Sequence, residues 1–185
     1  GYELLRCLQG LGEVHAFKRR RLDLADLDQV RDCVRTLRPD LIVNAAAYTA
    51  VDRAEREPEL ALRINAQAPG VMALQAREIG AAMVHFSTDY VFGGDQDAPY
   101  VEDDAPHPLN VYGETKMLGE QAIAAAGIPH LILRTSWVYG MRGNNFLRTM
   151  LALAARQREV SVVDDQIGAP TWSRTVAQTT ADILV

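Results

Sequence analysis

Short unbroken apolar runs alternate along this chain with longer stretches in which apolar residues recur every three or four positions. The runs at 14–17, 41–43, 83–86, 130–134 and 160–163 predict strands buried on both faces, as in a parallel sheet. Helical spacing predicts an opening helix through Leu4, Leu5 and Leu8, closed by Gly10 and Gly12, and further helices over 25–37, 59–79, 112–126 and 146–155. The apolar face of the 59–79 helix is Leu60, Ile64, Ala68, Val71, Met72 and Leu74, with Pro58 before it and Gly80 after it. A last helix begins near Thr171. Strands alternating with helices imply an α/β chain, a Rossmann-like doubly wound parallel sheet.

Composition narrows the class without changing that picture. At 185 residues and 48% apolar, the chain suits a globular domain with a substantial core. A net charge of −5 argues against nonspecific nucleic-acid binding. No apolar run reaches the ~20 residues needed to cross a bilayer and no signal-peptide pattern opens the sequence, so a cytoplasmic protein with no membrane partner is expected. Cys7 and Cys33 stand alone, without a Cys-x-x-Cys or a histidine at ligand spacing, and read as small buried residues with no metal or redox role.

Candidate chemistry concentrates between Ser87 and Lys116. Ser87-Thr88-Asp89-Tyr90-Val91-Phe92 follows a predicted strand, and Tyr112-Gly113-Glu114-Thr115-Lys116 opens a predicted helix. Tyr112 and Lys116 stand at i and i+4, hence on one helix face. A phenol titrates near pH ~10 in water, and a neighbouring ammonium favours the phenolate and brings it towards the working range. Thr88, at the C-terminal end of its strand, adds a hydroxyl where open α/β sheets bind ligands. Such a set suits reduction of a carbonyl or oxidation of an alcohol. Tyr-x-x-x-Lys is a weak pattern alone; its setting carries the weight. The loop 93–110, rich in Gly, Pro and acids, is long enough to be a lid or binding loop.

Beyond these residues, Asn44-Ala-Ala-Ala-Tyr-Thr-Ala-Val-Asp52, Arg134-Thr-Ser-Trp-Val-Tyr139, Gly143-Asn-Asn-Phe146 and Asp165-Gln-Ile-Gly-Ala-Pro-Thr171 complete a series of motifs spanning nearly all of the chain. Together they resemble the extended short-chain dehydrogenase/reductase family, and within it the branch that reduces the 4-keto group of a dTDP-linked 6-deoxy sugar. The resemblance implies a dinucleotide-binding domain over 1–170 that lacks its first strand and earlier glycines, and over 171–185 the start of a substrate lobe, most of which is lacking. It assigns Tyr112 as proton donor, Thr88 as the hydroxyl on the reacting oxygen, and Lys116 as the tuner of Tyr112 that also holds the nicotinamide ribose. Asp89 and Trp137 would orient the sugar with Thr88; for Trp137 ordinary core packing is the alternative. Asn65, mid-helix, would steady the active-site backbone or lie on the surface.

The small residues Ala46 and Ala47, with Tyr48 and Thr49, would let the backbone approach the cofactor, tight packing being the alternative for the alanines. Asp23 and Leu24 would meet the adenine, unless Asp23 merely caps the next helix. Lys18-Arg19-Arg20-Arg21 follows the predicted second strand, where an acid would hold the ribose of NAD. Cations there imply NADPH, with NADH also accepted; a solvated loop is the plainer reading. No metal is required, a cation at an oligomer contact through Glu3 being left open. The expected partners are a nucleotide-sugar substrate and a second copy in a homodimer. Two rivals stand beside this: a non-catalytic regulator resembling the methionine adenosyltransferase β-subunit, and another nucleotide-sugar reductase or epimerase using the same three residues.

Overall fold

The structure, a computed structural model, describes residues 1–185. In chain order it contains α1 (Tyr2–Leu8), α2 (Leu27–Leu37), β1 (Leu41–Asn44), α3 (Val51–Ala54), α4 (Pro58–Leu62), a π-helical turn (Arg63–Gln67) and α5 (Ala68–Ile79). There follow β2 (Ala82–Thr88), a 3₁₀ turn (Asp89–Val91), α6 (Val111–Ala125), β3 (His130–Thr135), β4 (Val138–Tyr139), α7 (Phe146–Ala154), β5 (Thr171–Trp172) and α8 (Ser173–Ile183). The chain divides into two units, one of Phe17–Arg134 and one of Gly1–Ala16 with Thr135–Val185.

In the Phe17–Arg134 unit, local chemistry sets the helix ends. Asp26, rather than Asp23, caps α2, its carboxylate accepting from the Gln29 N–H at 3.0 Å. The Asp23 carboxylate instead accepts from the Ala25 N–H and closes a turn, so α2 starts two residues after the position its apolar pattern suggests. Gly80, at φ 76°, turns the chain out of α5 in the left-handed region. The Asn110 side chain accepts from the Gly113 N–H at 2.8 Å and starts α6.

The sheet runs in the order β1-β2-β3, with β1 parallel to β2 in a register that pairs Asn44 with His85. Val30 of α2, Met72 and Ala73 of α5, Met83 of β2 and Ile123 of α6 form a common buried core. This is the α/β, Rossmann-like arrangement of parallel strands with flanking helices that the apolar rhythm predicts. Two of the predicted strands do not form. Residues 14–17 and 160–163 have no ladder partner, and Val14, Phe17, Val162 and Val163 are exposed. A run of apolar residues becomes a strand only where a neighbouring strand takes its N–H and C=O groups.

In the other unit, α1 and α8 pack together through residues such as Leu4, Leu8, Ala177 and Ala181. The short pair β4 and β5, joined in parallel with Val138 opposite Thr171, was not legible in the apolar pattern. Cys7 and Cys33 are free and only half-buried, so the expectation of full burial fails for both.

Within Phe17–Arg134, α6 lies against the π-helical turn and the 3₁₀ turn at glycine positions. A Cβ on Gly119 would run into the Asn65 carbonyl, and one on Gly113 into the Tyr90 carbonyl. Alanine at position 119 gains up to ~1 kcal/mol of helix propensity, but overpacking against backbone costs about 1–3 kcal/mol. Gly119→Ala should therefore be net destabilising by roughly 1–2 kcal/mol. A urea melt that placed its midpoint at or above that of the parent would show that α6 does not need this close approach.

Candidate active site

The C-terminal end of β2 and the first turns of α6 bring the candidate catalytic residues into one neighbourhood. Thr88 is the last residue of β2 and is buried; its hydroxyl donates to Asp89 Oδ1 at 3.0 Å and accepts from the Tyr90 N–H at 3.2 Å. Those two bonds fix the Thr88 rotamer. The Tyr112 phenol also hydrogen-bonds this hydroxyl, and because the Thr88 hydrogen is given to Asp89 the phenol O–H is the donor. The Tyr90 ring meets that of Tyr112 edge to face at 5.5 Å between centroids.

Tyr112 itself departs from expectation. Burial, the largest influence, raises its pKa above the ordinary phenol value, and the nearby Asp89 adds to the rise. The Lys116 head group is held by β2. Its Nζ donates to the Phe86 carbonyl at 2.6 Å and lies 3.0 Å from His85 Nε2. The i, i+4 spacing puts the two side chains on one face, but a lysine stem carries its charge well beyond its Cβ.

Lys116 is 1% exposed, and burial lowers its pKa to about 8, against a smaller opposing pull from Glu120 one turn along α6. Glu120 in turn holds Arg134 of β3 through two hydrogen bonds, at 3.1 and 2.7 Å, and the guanidinium covers the Phe92 ring at 4.8 Å. His85 is equally buried, and its pKa falls to about 3, chiefly through burial and then through the Lys116 charge, so its ring is neutral at working pH. Its Nδ1 lies 3.1 Å from Asn44 Nδ2 across the β1–β2 ladder.

Asn65 resolves in favour of a positioning role. In the π-helical turn it is 1% exposed, accepts from the Tyr48 N–H at 2.8 Å, and donates to both the Tyr48 carbonyl and the Thr115 hydroxyl at 3.1 Å. It thereby ties the loop after β1 to the helix that carries Tyr112 and Lys116.

The candidate cofactor residues fall into two kinds. Ala46 and Thr49 are exposed and Ala47 is half-buried on the loop after β1. Tyr48 is buried, with its hydroxyl donating to Glu57 at 2.7 Å and accepting from Arg53, which leaves its backbone held by Asn65. Leu24 belongs to the apolar core, while Asp23 is half-buried and 3.6 Å from Arg19. Trp137 belongs to the other unit, where it is 45% exposed, takes a positive φ of 45° and lies against Gly168; it is not a core residue.

Sequence reading missed Asn44, His85, Glu120 and Arg134 as parts of this neighbourhood. The available signal was a lone histidine in an otherwise apolar strand. His85 titrates near 3 when folded and near 6.5 when unfolded, so its contribution to stability is complete above about 6.5 and is lost as pH falls towards 3. Between those values the slope from this one group approaches ~1.4 kcal/mol per pH unit. His85→Gln should flatten the fall in denaturant midpoint between pH 6.5 and 4 relative to the parent; parallel curves would place the His85 charge elsewhere than in the buried state.

The family model described as the RmlD substrate binding domain matches residues 1–185. The chain is 51% identical over 185 residues to the dTDP-4-dehydrorhamnose reductase of Escherichia coli strain K12, covering 98% of this chain and 62% of that protein. It is 47% identical to the enzyme of the same name from Burkholderia thailandensis, again over 62% of its length. A crystal structure of dTDP-4-dehydrorhamnose reductase from Bacillus anthracis in complex with NADP superposes with a TM-score of 0.95 at 39% identity, over 100% of this chain and 66% of that one. The chain thus spans about 62% of the length of these curated relatives. Matched from its first residue to its last, it belongs to the RmlD substrate binding domain family.

Proposed function

We propose that the chain supplies the catalytic centre of an NADPH-dependent reductase that converts the 4-keto group of dTDP-4-dehydrorhamnose to the alcohol of dTDP-L-rhamnose. The observation that carries this reading is the convergence of Thr88, Tyr112 and Lys116 at the end of β2 and the start of α6, with Tyr112 held as a protonated phenol. A protonated phenol is the form that can give a proton. A regulator has no use for all three groups, so the enzyme reading is preferred to the non-catalytic rival.

Reduced nicotinamide, when bound, supplies the hydride that goes to the sugar C4. Tyr112 gives its proton to the oxygen that gains charge as the carbonyl is reduced, and Thr88 hydrogen-bonds that oxygen. Lys116 balances the phenolate left behind. Asp89 and Trp137 orient the sugar. The small-residue loop of Ala46, Ala47 and Thr49, with the Tyr48 backbone, offers the cofactor a close approach, and Asp23 and Leu24 flank its adenine. These residues fit a dinucleotide, and the exposed cations at 18–21 fit a phosphate on it. Residues 1–170 then serve as the dinucleotide-binding part and 171–185 open the substrate lobe. The same reading takes the protein to be cytoplasmic and homodimeric, without a nucleic-acid partner. No helix is long and apolar enough to cross a membrane.

Tyr112→Phe removes one oxygen from a site whose rotamer is held by packing, so folding should survive while turnover of the 4-keto sugar falls on the order of 10²-fold or more. Near-normal kcat would reject Tyr112 as the acid. The cofactor reading has its own test. Arg19 faces Asp23 at 3.6 Å in an exposed pair; such pairs contribute little, so the guanidinium can turn to a phosphate. A charge-assisted hydrogen bond contributes roughly 1.5–3 kcal/mol, which predicts a preference of about ten- to a hundredfold in kcat/KM for NADPH over NADH. Changing Arg19 and Arg20 together to Ser should remove it. Equal use of both cofactors by the parent, or a preference that survives the double change, would return 18–21 to a solvated loop.

A further inference from the structure

The buried chain of Asn44, His85 and Lys116 has a direction that its donors and acceptors settle. Asn44 Oδ1 accepts from the Ala46 N–H at 3.2 Å, and a backbone N–H can only donate, so the side-chain amide is oriented with its NH₂ towards His85. An amide nitrogen likewise only donates. His85 Nδ1, 3.1 Å away, must therefore present its lone pair. A neutral imidazole with Nδ1 unprotonated carries its proton on Nε2. That Nε2–H points at Lys116 Nζ, 3.0 Å away, while Nζ spends one hydrogen on the Phe86 carbonyl.

An ammonium has three donors and no lone pair, so it would meet the Nε2–H donor to donor. An amine has the lone pair that the ring requires. We propose that Asn44 and His85 form a tautomer lock that favours the neutral amine of Lys116 over its ammonium in this state, making them positioning residues for the proton donor Tyr112. The inference deepens the function proposed above and rests on it for the role of Lys116. Protonating Lys116 requires His85 to move its proton from Nε2 to Nδ1, and that in turn requires the Asn44 amide to rotate away from the Ala46 N–H. The anchor of the lock thus lies in the loop assigned to the cofactor, and displacement of the Ala46 N–H is the event that would open it.

The groups facing Lys116 are His85 and the Phe86 carbonyl from β2, and Glu120 from its own helix. Those facing His85 are Asn44 from β1 and Lys116 from α6. Glu120 favours the ammonium, and its carboxylate is bound to Arg134. Among these groups only the oriented Asn44–His85 pair opposes the ammonium through hydrogen-bond direction rather than through burial.

The test has two independent arms, neither of which reads turnover. In the unaltered protein, the ring-nitrogen chemical shifts of His85 should report the neutral Nε2–H tautomer at pH 9, above the Lys116 titration at about 8. The Nδ1–H tautomer, or an imidazolium, overturns the proposal whether or not any variant folds. In His85→Gln the side-chain carbonyl can turn to accept from an ammonium, so the lock is removed while the polar contact is kept. The Lys116 titration, followed at its Cε, should then rise by about one to two pH units, the cost of one unmade buried hydrogen bond. An unchanged or lowered midpoint overturns the lock, since a purely structural role for His85 would not move it upward. Loss of turnover in Tyr112→Phe bears on the proposed reductase alone, so failure of that reading and failure of the lock give separate results.

Discussion

Burial of the Lys116 amine sets the terms on which this part of the chain is built. A lysine with 1% of its surface exposed has given up hydration that only fixed polar groups can replace. The Phe86 carbonyl and His85 supply them from β2, and Glu120 of α6, itself held by Arg134 of β3, supplies a compensating negative charge. All of these require α6 to lie close against its neighbours. Gly113 and Gly119 permit that approach by lacking a Cβ where Tyr90 and Asn65 present backbone oxygens. A Cβ at either position would force α6 off the backbone carbonyl it packs against.

Asn65 adds the link to the loop after β1. Its amide bonds both backbone groups of Tyr48 and the hydroxyl of Thr115, which itself donates to the Tyr112 carbonyl. A π-helical turn adds one residue to the turn of a helix and rotates the side chains that follow, and such turns occur often at functional sites. Here it falls at Arg63–Gln67, inside the long helical stretch read from the apolar pattern. The pattern predicts a helix over the whole of it and is right about continuity. It carries no sign of the extra residue, and past the turn the face it predicts is displaced: Leu74 is exposed while Ala73 and Ala76 are buried.

What was legible in the sequence was what local spacing determines. The buried runs at 41–43, 83–86 and 130–134 became β1, β2 and β3, and the i, i+4 pair of Tyr112 and Lys116 sits on α6 as expected. Residues 14–17 and 160–163 have the same local character yet form no strand, because pairing is a property of the neighbour and not of the run. The β4–β5 pair joins segments more than thirty positions apart in sequence, with two residues each, too few for any periodicity to show. The pairing of Asn44 with His85 escaped notice for a related reason. Each is ordinary in its own strand, and only the parallel register sets them side by side.

The same burial acts in opposite directions on the two titrating groups at the start of α6. It penalises the charged form of each, raising the Tyr112 phenol and lowering the Lys116 ammonium. Spacing alone suggests an ion pair of phenolate and ammonium; the buried setting favours a neutral phenol beside a lysine close to its neutral form. The difference matters for a proton donor. A phenol already ionised has nothing to give, whereas one kept protonated until charge develops on a neighbouring oxygen transfers its proton at the moment of need. The phenolate then left in a buried site is the species that requires a cation, and Lys116, titrating at about 8, lies close enough to neutrality to change state in response. Desolvation thus holds the acid ready, and the adjustable charge of Lys116 accommodates its product.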